Sequence, residues 1–141
     1  MQAVIYQHEF PYAFPDENNA TSFPGLLIEV RNPADEENGI EVQAHLDTGA
    51  EYSLFTGEIA AAIGLNLFAG DPVTFRSTAG TEVDARRHGI ILAHEILGNF
   101  PLDLAFSTGD IRRSLLGRDF MRLIQIGFRE YHTEFYVTPT P

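Results

Sequence analysis

The sequence predicts a mainly β domain, closed and barrel-like, with one or two short helices. Three observations carry this expectation. Short stretches that alternate apolar and polar residues recur along most of the chain. The 12 Gly and 8 Pro break the sequence into short segments, as turns do. Only two stretches have helical spacing. With 141 residues the chain suits one domain, which can bury roughly 70% of its unfolded surface.

Residues 1–24 read as an extended arm. Pro11, Pro15 and Pro24 punctuate it, Asp16-Glu17-Asn18-Asn19 forms its polar middle, and one short strand is expected near Val4–Tyr6. The domain proper, residues 25–141, opens with Leu26-Leu27-Ile28-Glu29-Val30, a branched strand. A turn segment, Asn32 to Gly39, ends in Asn-Gly and carries an acidic run that suits a solvated tip. Ile40 to Leu46 then alternates cleanly, completing a hairpin. Gly57–Ile63 reads as a helix stopped by Gly64, and Leu116–Leu123 as a second. The remaining strands are expected at Val73–Arg76, Thr81–Arg87, Gly89–Leu97, Phe100–Phe106, Ile124–Phe128 and Thr133–Val137. Many short strands with two short helices indicate the barrel. No repeat or low-complexity segment interrupts it.

Composition narrows the function. The chain has 9 Lys+Arg against 20 Asp+Glu, a formal charge of −11. Nucleic acid and anionic membrane surfaces repel that charge, so neither is an expected partner. With no Cys, a disulfide scaffold, a thiol nucleophile and a thiolate zinc site are excluded. The five His lack zinc-ligand spacing, so no metal or other cofactor is expected. The N-terminus lacks a basic start and apolar stretch, and no apolar run has the length of a membrane span, which makes the cytoplasm the expected location.

The most informative stretch is Ala44-His45-Leu46-Asp47-Thr48-Gly49-Ala50-Glu51-Tyr52-Ser53-Leu54. Parity puts Ile40, Val42, Ala44 and Leu46 on the buried strand face and Glu41, Gln43, His45 and Asp47 on the open one. Asp47 therefore ends an apolar strand directly before small residues that let the backbone turn sharply and approach a ligand. The plain alternative is an Asp that opens a turn through its own side chain.

In wider context the chain resembles the retroviral-type (retropepsin-like) aspartic proteases and their bacterial single-domain relatives, from about Gly25 to Val137. Leu46-Asp47-Thr48-Gly49-Ala50 is similar to the catalytic loop, Thr74 to Val83 to the hairpin flap, and Leu115-Leu116-Gly117-Arg118-Asp119-Phe120 to the second signature. The resemblance implies an acid-protease fold and an aspartic endopeptidase in which a carboxylate pair activates water. The internal echo Ser107-Thr108-Gly109 has Ser where a carboxylate is required. Two chains are therefore needed, each giving Asp47, in a symmetric homodimer. The C-terminal strand Thr133–Val137, with Val4–Tyr6, is the implied interface sheet.

The resemblance also assigns roles. Thr48 would tie the two loops together beneath the carboxylates. Gly49, Ala50, Leu115 and the flap residues Ser77, Thr78, Ala79 and Gly80 would contact an extended peptide. Glu51 and Arg118 would pair to brace the loop; otherwise they are two solvated charges. Three features depart from the family. The flap has a single Gly80, the arm is long enough to lie across the cleft and restrain activity, and His45 replaces an apolar residue. His45 either lines a substrate pocket or sits at its rim without a role. The rival function is a non-catalytic retropepsin-like module for dimerisation or peptide binding.

Overall fold

In the computed structural model, which describes residues 3–14, 21–77 and 79–139, the first strand starts later than the apolar run suggests. β1 covers His8–Pro11, whereas Val4 and Ile5 are exposed. A strand needs a partner more than it needs branched residues, and here the partner is the C-terminal strand β10, Glu134–Pro139. β10 lies between β1 and β9 (Ile124–Arg129) in a three-stranded antiparallel sheet. The expected interface strand is thus interior to its own sheet, with both edges already hydrogen-bonded within the chain. Tyr12 extends the attachment. Its amide donates to the Thr133 carbonyl, and its hydroxyl donates to Glu130. Burial first, and the Glu130 contact second, push that hydroxyl's pKa up to about 12.

β2 (Gly25–Asn32) and β3 (Asp35–Leu46) form the expected hairpin with a different turn. Pro33 and Ala34 make the bend, because the Asn32 side chain accepts the Ala34 amide at 2.9 Å. The Asn32 amide group also donates to the Ile63 carbonyl, which ties the turn to the end of the first helix. Asn38-Gly39 is consequently inside β3, where a bulge absorbs the extra residues. The acidic residues Asp35, Glu36 and Glu37 are exposed.

The first helix, α1, covers Gly57–Ala62 and buries Ile59 and Ala60; Gly64 ends it with a φ of +81°. The second, α2, is only Arg118–Met121. The expected helix from Leu116 is shortened because Leu115–Leu116 form a strand, β8, between two others. β8 runs parallel to β3 and antiparallel to β4, Leu54–Phe55. β5 (Asp71–Arg76), β6 (Glu82–His94) and β7 (Gly98–Ser107) complete the set. β6 is one continuous strand where the sequence suggested two. A Cβ at Gly89 would meet nothing nearer than 3.6 Å, so that Gly marks no break.

The larger sheet has the order β2-β3-β8-β4-β7-β6-β5, and an added β2–β6 pairing closes the first six into a ring. That is the expected closed barrel. Its interior holds Ile28, Phe55, Leu92, Leu104, Phe106, Leu116 and Phe120, with Phe135 and Val137 joining from β10. β5 lies outside the ring, paired to β6 alone, and with it forms a projecting hairpin. No described helix is long and apolar enough to cross a membrane.

Candidate active site

Asp47 follows the last residue of β3, and its position is set from the neighbouring parallel strand. The register pairs His45 with Leu115 and Leu46 with Leu116, and the Asp47 amide donates to the Leu116 carbonyl at 2.9 Å. The chain then turns back on itself. Gly49 donates its amide to Asp47 Oδ1 at 2.8 Å, and Ala50 donates to the Asp47 carbonyl at 3.2 Å. Asp47 therefore does open a turn through its own side chain, yet only one carboxylate oxygen is used. Oδ2 has no hydrogen-bond partner among the described residues. Thr48 and Gly49 are exposed, Asp47 and Ala50 half-buried.

The second signature holds this loop from below. Ser53, 1% exposed, donates its hydroxyl to Asp119 Oδ1 at 2.6 Å and its amide to the same carboxylate at 3.0 and 3.1 Å. The Gly117 amide donates to Ser53 Oγ at 2.9 Å. Arg118 and Asp119 donate their amides to the carbonyls of Ala50 and Glu51. Gly117 must be Gly here, because a Cβ would stand 2.7 Å from the Tyr52 carbonyl carbon and 2.8 Å from the Ala50 oxygen. Glu51 and Arg118 are thus neighbours through the backbone. Their side chains are both exposed and make no ion pair among the described residues. The brace is Asp119, half-buried, which stands in the signature and bonds the buried Ser53. Its position in the first turn of a helix, opposite a buried Ser, is the signal that could have found it.

His45 lies on the face that parity assigns, but it is not open to a cleft. The Phe23 ring stacks on it at 3.7 Å, nearly parallel, and His45 is 8% exposed. Its Nδ1 lies 3.2 Å from Arg113 Nη1. The carbonyl of Pro24 accepts the Leu46 amide, so the end of the arm is stitched to the strand that carries Asp47.

The β5–β6 hairpin stands where the flap is expected. At its tip Ser77 donates to the Thr81 carbonyl at 2.9 Å, and Gly80 to the Ser77 carbonyl at 2.9 Å. Gly80 takes a φ of +83° with nothing near its Cβ position, so its requirement is conformational. Ser77, Ala79 and Gly80 are exposed, and Thr78 lies outside the described residues. Leu115 is half-buried between β3 and β4. Ser107 is buried with its hydroxyl donating to the Gly109 carbonyl, while Thr108 donates to Asp84. The Arg86 guanidinium first, and the Thr108 hydroxyl second, hold the Asp84 carboxyl below its ordinary value. Among the described residues no group of three His, Asp or Glu could hold a metal ion.

Residues 36–120 match the family profile described as aspartyl protease. Two solved structures share the fold. A retropepsin-like aspartic protease from Rickettsia conorii superposes with a TM-score of 0.62 at 18% identity, over 94% of this chain and 99% of that one. The EIAV protease, solved with the inhibitor HBY-793, gives a TM-score of 0.53 at 17% identity, over 71% of this chain and 86% of that one. No curated protein is similar enough in sequence to count as a match.

Proposed function

Because this chain belongs to the aspartyl protease family, we propose that it is an aspartic endopeptidase that works as a symmetric homodimer. The observation that carries the reading is the Asp47 carboxylate, with one oxygen fixed by the Gly49 amide and the other unengaged among the described residues. It sits in an exposed Asp-Thr-Gly loop clamped from beneath. Each chain supplies one such carboxylate, and the two face each other across a two-fold axis. Sharing one proton, the ionised member takes a proton from water while the protonated member donates to the scissile carbonyl. Thr48, exposed in the single chain, ties the paired loops together. The β5–β6 hairpin covers an extended peptide, with Gly49, Ala50 and the hairpin's main chain as hydrogen-bonding partners.

β10 is enclosed by β1 and β9, so the terminal sheet meets a second copy through an outer edge of β1 or β9. The deciding experiment combines sedimentation with cleavage of a peptide library, with and without a peptidomimetic aspartic-protease inhibitor. A dimer whose inhibitor-sensitive cleavage disappears in Asp47→Asn is expected. Cleavage surviving that substitution removes the mechanism, and a monomer that cleaves at full rate removes the dimer.

A further inference from the structure

The floor of the candidate cleft and the inner face of the hairpin meet at Tyr52. Its backbone is immobilised, since Gly117 lies flat against the Tyr52 peptide and Ser53 is locked to Asp119. Tyr52 is 41% exposed, and its ring projects from this fixed base. It meets Phe75 of β5 at 6.0 Å, and the Arg87 guanidinium of β6 lies 4.8 Å from its centroid. The registers Val73–Ala85, Phe75–Val83 and Asp71–Arg87 put these residues on one face of the hairpin, the face turned toward the Asp47 loop.

Arg87 differs from the four ion-paired arginines of this chain. The nine cationic residues are all Arg, set among 20 carboxylates. Arg31, Arg76, Arg86 and Arg129 each have an acidic partner. Arg87 is half-buried, and among the described residues no carboxylate lies within ion-pair distance of it. Asp71, directly across the strand pair, is exposed and does not pair with it. A guanidinium stacked on an aromatic face keeps its edge donors available, and their planar fork matches a carboxylate.

We propose that Tyr52, Phe75 and Arg87 form a specificity subsite that accepts an acidic side chain of a peptide bound beneath the hairpin. The inference rests on the peptidase reading above. The methylene stem of Glu or Asp lies on the two rings, and its carboxylate takes two donors from Arg87. The chain's charge of −11 opposes acidic peptides at long range, so the preference is confined to one substrate position.

The test uses a peptide series in which Glu, Gln or Lys occupies each position around the cleaved bond. One position is expected at which Glu exceeds Gln in kcat/KM by about tenfold, the scale of one charge-assisted hydrogen-bonded pair. Arg87→Gln brings that ratio close to one, and Arg87→Lys lowers it. Arg122→Gln, which removes an equal charge at an exposed site away from the hairpin, leaves the ratio in place. Binding of the same peptides to Asp47→Asn by fluorescence anisotropy reads the preference without hydrolysis, with Asp47→Asn/Arg87→Gln as its control. Cleavage with no Glu preference at any position, or a preference that survives Arg87→Gln, overturns the subsite and leaves the peptidase. Arg87-dependent Glu binding without cleavage by the unsubstituted protein overturns the peptidase and leaves the subsite. Absence of both cleavage and binding overturns the subsite as well.

Discussion

The Ser53 hydroxyl donates to the Asp119 carboxylate at 2.6 Å while accepting the Gly117 amide at 2.9 Å. One buried side chain thus joins the loop after Asp47 to the strand-helix junction beneath it. Ser53→Ala leaves the Gly117 amide without its acceptor and takes from Asp119 Oδ1 its shortest donor, with the Ser53 and Phe120 amides still in place. The expected loss is about 1–3 kcal/mol of stability, read from urea unfolding. A variant as stable as the parent contradicts this role.

Gly117→Ala tests the same junction by crowding it. The added methyl meets only backbone atoms, those of Ala50 and Tyr52, which cannot rotate away. Overpacking of this kind costs about 1–3 kcal/mol. Because the displaced peptide is that of Tyr52, near-ultraviolet circular dichroism should change as well. A silent substitution would show that the loop gives way freely.

Two carboxyl groups influence each other where the arm meets the C-terminal strand. Glu9 of β1 is held above its ordinary carboxyl value, chiefly by its hydrogen bond to Glu134 and then by that group's charge. Glu134 is held below its own by hydrogen bonds from Tyr136 and Glu9, with Arg129 and His132 adding to the effect. Glu9 therefore contributes stability in full below the ordinary carboxylate range, and loses it as pH rises through its raised value. Glu134 contributes above that range and loses its share as pH falls through its lowered value. Between the two values Glu9 keeps its proton while Glu134 is ionised, the charge state that favours the β1–β10 contact. Glu9→Gln should abolish the decline on the alkaline side of that window, measured as Tm against pH at fixed ionic strength. Parallel curves for parent and variant would remove the link.

Removing residues 1–22 should destabilise the domain. The sequence suggested an arm lying over the cleft, but its described part pairs with β10, stacks Phe10 on Phe135 at 5.2 Å and bonds Tyr12 to Thr133. Deletion exposes the apolar surface around Phe135 and opens one edge of β10. A lower Tm and concentration-dependent aggregation are expected, with no gain in peptide cleavage. A truncated protein that stays stable and cleaves faster would restore the inhibitory role.

What the sequence revealed was local. The turn at Asp47-Thr48-Gly49, the hairpin tip at Gly80 and the start of α2 after Gly117 were legible because each depends on residues close together in the chain. So were most strands, through their alternation. The errors concern choices made by distant partners. Leu116 has helical spacing with Phe120 and Leu123, yet it is extended because β3 and β4 flank it on either side. Asn38-Gly39 has turn chemistry, but Asn32 bonds Ala34 first and bends the chain earlier. His45 was placed on an open face by parity, and Phe23 from the arm covers it. Asp119 serves the loop through Ser53, a contact that only the fold creates.

The pairing of β6 has a mechanical consequence. From Ala85 to His94 the strand is bonded to β7, and Asp84 is still held by the Thr108 amide and hydroxyl. Beyond Asp84 the hairpin is clamped at its root and overhangs like a short cantilever. Its outer pairs, Phe75–Val83 and Arg76–Glu82, depend on each other alone, apart from the touch of Phe75 on Tyr52. The Arg76–Glu82 ion pair is too exposed to stiffen it much. Bending is therefore concentrated past Asp84 and does not extend along the whole strand. Amide exchange should show this as a step in protection, with Ala85 onward slow and Glu82 and Val83 fast. A peptide bound against Phe75 and Tyr52 should slow the outer residues and leave the root unchanged.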